Sequence, residues 1–327
     1  VIVISINKQP TAVNRAYGGM GHFLNSLVRF INEKNKKNLI PKYKIIHELK
    51  KETDVIIFMS NRKYKTTFWI DDVKNHLRKY GKKRIIHRVN DCDKPRDSDE
   101  MDKAVLRISN FNPYHIFVSN WVKEYYENKG LKIRDHSVIE NYPNVRYFNL
   151  KYVKHRFDEP LKIITHHYSK NYQKGHKTYE MLDSYLLKNK DLGSFTYMGN
   201  RPKNRLEYTC KLVRAVQYRH IAKHLKKNNV YVSGARYESG PNHITEAIFC
   251  GLIPVVSVEG GACVEYVKDF GVVYKNFSEL ISGLEALRHD NKFFNEKKNK
   301  VANYITDKSH KLMCKKYFDI IMGENNA

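Results

Sequence analysis

Arg236-Tyr237-Glu238-Ser239-Gly240-Pro241-Asn242-His243-Ile244-Thr245-Glu246-Ala247, followed by Cys250-Gly251 and Pro254-Val255-Val256, is the stretch that decides how this chain is read. The β-branched run Val230–Ser233 before it has strand character, and residues 242–250 have helical character. The stretch is therefore a strand–loop–helix junction. Gly240 lets the chain turn without a Cβ penalty. Pro241 and Asn242 suit a first helical turn, where N–H groups lack intrahelical partners and can meet phosphate oxygens or hydroxyls. Glu238 falls in the loop and Glu246 inside the helix. Two carboxylates so placed suit a polyhydroxylated ligand, and Glu246 can accept from two vicinal hydroxyls.

Outward from this junction, short apolar strands alternate with amphipathic helices. Strands are expected at 1–6, 43–48, 54–60, 84–89, 115–119 and 137–140, with helices at 21–35, 71–80, 101–110 and 121–129. A second series has strands at 162–166, 195–198, 230–233 and 254–258. Its helices fall at 178–187, 218–227, 242–250, 277–289 and 292–322. The alternation predicts parallel sheets with helices on their faces. It gives two α/β domains, 1–155 and 156–308, with a last helix within 309–327 returning to the first. A ligand belongs at the carboxyl ends of the strands, in the cleft between the domains.

The chain has 327 residues, 41% hydrophobic and 28% charged, which is enough to build real cores. Its five cysteines include no CxxC pair, which argues against zinc and a disulfide framework and for a reducing compartment. No apolar run reaches membrane-spanning length. The expected setting is cytoplasmic, with peripheral contact at an anionic membrane surface allowed by the net charge of +25. That charge favours anionic partners, although a Lys-, Asn-, Tyr- and Ile-rich composition accounts for it equally well.

Further constellations carry chemistry. Tyr17-Gly18-Gly19-Met20-Gly21 lies between the first strand and first helix, where glycines let backbone N–H groups approach a phosphate. Lys174-Gly175 follows the first strand of the second series, and a cation there would stabilise a leaving phosphate. His87 ends a strand of the first series and could bond a hydroxyl or move a proton. Asp91-Cys92-Asp93 spells Asp-x-Asp, a pattern that can hold Mn²⁺ through oxygen ligands. In the acidic segment 91–102 it reads as a solvated loop. His220 and His224 are spaced i,i+4 but lack an obvious third ligand, so they read as a solvated helix face.

Two glutamates separated by seven residues, then Ala247, Cys250-Gly251 and Pro254-Val255, resemble the signature of the family 4 retaining glycosyltransferases. Gly260-Gly261 with Glu265 resembles that family's next loop. The resemblance implies a GT-B fold, two Rossmann-like domains with a deep interdomain cleft, and a nucleoside-diphosphate sugar as donor. Glu238 would face the donor sugar and Glu246 would hold the ribose. Ser239, Gly240, Pro241 and Asn242 would bind sugar and diphosphate. Gly18 and Gly19 would meet the diphosphate from the first domain, Lys174 would pair with it, and His87 would line the site beside the transferred sugar. The chain departs from the family at Ser169, where an arginine is usual, and at Tyr142, where a glycine is usual. The resemblance implies a glycan or other hydroxyl acceptor, no cofactor beyond the donor and no metal. The rival readings are a phage-type DNA-modifying glucosyltransferase and a nucleic-acid-binding protein with a degenerate GT-B core. Intact Glu238, Glu246 and Lys174 disfavour the second.

Overall fold

The computed structural model describes residues 1–10, 19–36, 42–96, 98–153, 157, 159–202 and 208–323. They form two units, each built on a six-stranded sheet. In the first unit, β1 (Ile2–Ile6), β2 (Tyr43–Ile46), β3 (Val55–Phe58), β4 (Arg84–Val89), β5 (Tyr114–Phe117) and β6 (His136–Val138) lie in the order β2-β1-β3-β4-β5-β6. Every pairing is parallel. Parallel strands need crossovers, supplied here by helices that include α1 (Gly19–Lys36), α2 (Ile70–Tyr80), α3 (Glu100–Ser109) and α4 (Asn120–Glu127). Helices on both faces leave the central strands no solvent side, so β3 reads Val-Ile-Ile-Phe and is buried at all four positions.

The second unit repeats the plan. Its strands are β7 (Leu161–His167), β8 (Gly193–Gly199), β9 (Lys211–Val213), β10 (Val230–Ser233), β11 (Ile253–Ser257) and β12 (Val272–Tyr274). They run in the order β12-β11-β10-β7-β8-β9, again all parallel. Helices α5 (His176–Lys188), α6 (Tyr218–Leu225), α7 (Asn242–Phe249), α8 (Ala262–Val267), α9 (Phe277–His289) and α10 (Asn291–Tyr304) complete it. One core cluster joins Ile163, Tyr179, Tyr197, Val232, Val255, Leu284 and Phe294. The strand order reverses between β7 and β10, and the carboxyl ends at such a switch point form the natural ligand crevice of a doubly wound sheet.

The last helix, α11 (His310–Met322), belongs to the first unit. Its Ile320 carbonyl accepts from Arg84 at 2.7 Å, and Tyr317 accepts from the buried Arg88 Nε at 3.1 Å. Phe318 packs edge-on against Tyr43 and Phe30. The single helix expected over 292–322 is thus two helices. Ile305-Thr306 is a β-branched pair of modest helix propensity, and Asp307 and Ser309 favour helix starts over interiors. Among the described residues, no helix is long and apolar enough to cross a membrane.

The acidic segment 91–102 is not a solvated loop. Asp93 and Asp102 are both buried. Asp93 Oδ2 accepts from the N–H groups of Met101 (2.7 Å) and Asp102 (3.1 Å), so it caps α3 from outside the helix. Asp102 in turn accepts from Tyr125, Tyr126, Asp93 N–H and Lys129, which hold its carboxyl below the usual range despite burial. Asp91 pairs with Arg62 and Arg96. The two carboxylates of Asp-x-Asp serve a helix start and a guanidinium pair. Asp93→Ala should therefore lower the unfolding free energy by about 2 kcal/mol, the worth of a lost cap with charge-assisted bonds. Asp91→Ala, a half-exposed pair, should cost at most about 1 kcal/mol. Urea denaturation checks both values, and equal losses that appear only with Mn²⁺ present would instead make the pair a metal site.

Candidate functional site

The crevice at the β7/β10 switch point is built by backbone approach. After β7 the chain makes a 3₁₀ turn over Tyr172–Lys174, begun by Asn171, whose side chain accepts from Gln173 N–H at 2.9 Å. Ser169, at the place where the resembled family carries arginine, accepts from Asn171 N–H at 3.2 Å, so it shapes this turn. Gly175 follows at φ 91°, a left-handed conformation that favours glycine. A Cβ there would lie 2.4 Å from the carbonyl carbon of Gly234, and one on Gly234 would lie 2.8 Å from Thr178. The loops after β7 and β10 thus meet backbone to backbone.

This approach fixes the loop that carries Glu238. Arg236 N–H donates to Gln173 O at 2.9 Å on one side. On the other, Tyr237 donates to Glu259 O, Glu238 to Gly260 O, and Ala262 to Glu238 O. Glu238 and Gly261 form a parallel bridge. Tyr237 sits at φ 57°, a costly conformation for a non-glycine residue that aims its neighbour. Glu238 forms an ion pair with the Lys174 ammonium, the two side chains 13% and 26% exposed.

The helix beyond holds the second carboxylate. Pro241 caps α7 with its carbonyl, which accepts from Ile244 and Thr245. Gly240 O accepts from the Asn141 side chain. Ser239 is buried and Asn242 opens the helix. One turn on, Glu246 is buried, and its Oε2 lies 2.8 Å from His166 Nε2. His166 is the penultimate residue of β7, and its backbone is gripped by Tyr231 of β10: its N–H donates to the Tyr231 hydroxyl (3.0 Å), which donates to its carbonyl (3.1 Å).

Two further histidines close the floor. His167 Nε2 lies 2.7 Å from the Tyr179 hydroxyl, which also accepts from Gly234 N–H. His243 Nε2 lies 3.3 Å from Ser233 Oγ, and its ring meets that of His167 at 4.9 Å. Desolvation, together with Lys174 and the neighbouring histidines, pushes both well below the ordinary histidine value, so they are neutral at pH 7. The site carries one ammonium and two carboxylates on a neutral polar floor.

Lys174, Glu238, Ser239, Gly240, Pro241, Asn242 and Glu246 all belong to the second unit. The first unit holds Gly19, the opening residue of α1, and His87; Gly18 lies outside the described residues. His87 is fully buried on β4, with Nε2 2.8 Å from Asn61 Oδ1. Its ring lies 6.2 Å from Phe58 and 5.2 Å from His115, and burial holds it well below the usual value. It is a core residue that offers no nitrogen to solvent. His220 is exposed and accepts from Arg219 Nε, so it lies on a solvated face. Residue-by-residue reading assigned no part to His166, His167 or His243. The signal for them was a polar doublet at a strand end and a histidine at the second position of α7.

The structure is similar throughout its length to HepE of Anabaena in complex with UDP, with a TM-score of 0.72, 12% identity, and 99% of this chain and 100% of that chain covered. The fold is GT-B. The GT-B galactosyltransferase WaaB of the lipopolysaccharide outer core gives a TM-score of 0.68 at 14% identity, covering 99% of this chain and 100% of its own. WaaG, a glycosyltransferase of lipopolysaccharide biosynthesis, gives 0.67 at 11% identity, covering 98% and 100%. No protein-family model and no curated protein sequence matches the chain. Within this GT-B chain the Gly175–Gly234 approach should not tolerate a side chain. Gly175→Ala should lower stability by at least about 1–2 kcal/mol from backbone strain alone. Urea unfolding measures it, and a variant as stable as wild type would mean that the two loops are not in contact.

Proposed function

We propose that the chain is a glycosyltransferase that transfers a sugar from a nucleoside-diphosphate donor, held on the second unit, to a hydroxyl of a glycan, glycolipid or protein-linked glycan. The observation that carries this reading is the Lys174–Glu238 ion pair at the switch point of the second sheet. The GT-B fold and the UDP-bound HepE structure support it. Without donor, each partner neutralises the other. A diphosphate brings negative charge that draws Lys174 and the first amides of α7, which frees Glu238 for sugar hydroxyls. Glu246, further along α7, receives the ribose diol.

Transfer proceeds with retention, as in the family 4 enzymes that the motif resembles. The bond from the anomeric carbon to the diphosphate oxygen breaks, and its electron pair leaves with the diphosphate. The acceptor oxygen attacks the same face, and its proton passes to the departing phosphate oxygen. A double displacement would need a carboxylate nucleophile beside the anomeric carbon, and in this reading Glu238 is engaged with hydroxyls instead. Lys174 stabilises the leaving charge without a metal. His87, buried in the other unit, has no part in these steps.

The carboxylates should separate kinetically. Glu246→Gln keeps the shape but loses charge-assisted bonds worth about 1.5–3 kcal/mol each, so the donor KM should rise about tenfold or more. Glu238→Gln should mainly lower kcat, because positive charge develops on the sugar during transfer. Calorimetric titration with UDP, GDP, ADP and CDP identifies the base. A wild-type protein that binds none of them sinks the proposal. Turnover should also survive EDTA; loss restored by Mn²⁺ would place a metal in the reaction.

A further inference from the structure

We infer that His166 is a positioning residue that sets the orientation of Glu246 toward the nucleoside end of the donor, an inference that rests on reading this crevice as a donor site. Glu246 is a carboxylate on α7 with little solvent of its own, and a buried carboxylate is costly unless hydrogen-bonded. Its bond is to His166 Nε2 at 2.8 Å, and both side chains are about nine-tenths shielded. For this bond the His166 proton sits on Nε2 and is donated to Oε2. The other Glu246 oxygen is left to accept from a diol.

The geometry fits positioning better than packing. His166 Nδ1 is buried and has no partner among the described residues, so the ring's polar engagement is with Glu246. The ring cannot drift, because Tyr231 bonds both the N–H and the carbonyl of His166 and stands edge-on to the imidazole at 5.4 Å. His243 flanks it at 6.4 Å, again edge-on. A strand end therefore holds a donor rigidly against a helix-borne acceptor. One bond sets the rotamer of a side chain that would otherwise have three rotatable torsions. Rigid support of this kind is what keeps a binding group within the tolerance of its ligand.

The same observations separate the two ends of the donor. Lys174 and the start of α7 serve the diphosphate, while the His166–Glu246 pair would serve the ribose. Loss of His166 should therefore weaken nucleotide binding and leave pyrophosphate binding alone. Calorimetry on the full chain, with UDP, GDP, ADP and CDP, their 2′-deoxy counterparts and inorganic pyrophosphate, reads this directly. His166→Leu should weaken the best-bound nucleoside diphosphate by about tenfold or more, the worth of one charge-assisted bond. It should also erase the preference for ribose over 2′-deoxyribose, with pyrophosphate affinity unchanged. His166→Gln, whose amide nitrogen reaches the place of Nε2, should keep both affinity and ribose preference. His166→Asn, which reaches only the place of Nδ1, should not. If His166→Leu fails to fold, the contrast between Gln and Asn decides. An equal loss of pyrophosphate binding, or unaltered ribose preference in both His166→Leu and His166→Asn, would overturn the inference. Wild-type protein that binds no nucleotide would fail the donor reading instead. Glu246→Gln losing ribose preference while His166→Leu keeps it would fail the positioning role alone.

Discussion

Two glycine backbones in contact, Gly175 after β7 and Gly234 after β10, are the constraint on which the candidate site depends. Side chains on either would push the loops apart. Because they touch, the lysine just before one glycine meets the glutamate four residues after the other. The Gly234 N–H also reaches the Tyr179 hydroxyl, which carries the contact to His167. Sheet order supplies the place and the absence of two Cβ atoms supplies the closeness; charge is then arranged on that scaffold.

Balance of charge follows from the same crowding. Lys174 stands close enough to His167 and His243 to help keep both uncharged. Neutral rings can donate or accept without adding charge to a crevice that already holds an ammonium and two carboxylates. The chain's large positive charge therefore says little about this site.

Much of the fold was legible because buried parallel strands leave a plain signature. Arg84–Val89 and Val230–Ser233 were read with their observed bounds, since both are β-branched runs bounded by polar residues. β9 and β12 escaped because three residues carry little pattern, and β6, equally short, was read with shifted bounds; α8 escaped because six residues make under two turns. At the candidate site, the strand–loop–helix setting of Glu238 and Glu246 was legible, while Lys174 stood out only through the resemblance; the structure adds that Lys174 meets Glu238. Sequence could not show that Glu246 faces His166, because 80 residues separate them. Nor could it show that Asp93 is a cap: a carboxylate seven residues ahead of the first residue of a helix carries no local signature, and its role exists only once the segment folds back.

The placement of α11 with the first unit bears on the order in which the chain can fold. Among the described residues the second unit runs in one stretch from Asn141 to His310, whereas the first is interrupted by it and takes a further element from beyond that point. Until α11 is made, Arg88 lacks the Tyr317 hydroxyl, Arg84 lacks the Ile320 carbonyl, and the rings of Phe23, Phe30 and Tyr43 lack their cover. Domains ordinarily form in the order of their synthesis. Here the first unit is begun before the second and completed after it, so during translation its sheet waits, incompletely covered, for α11.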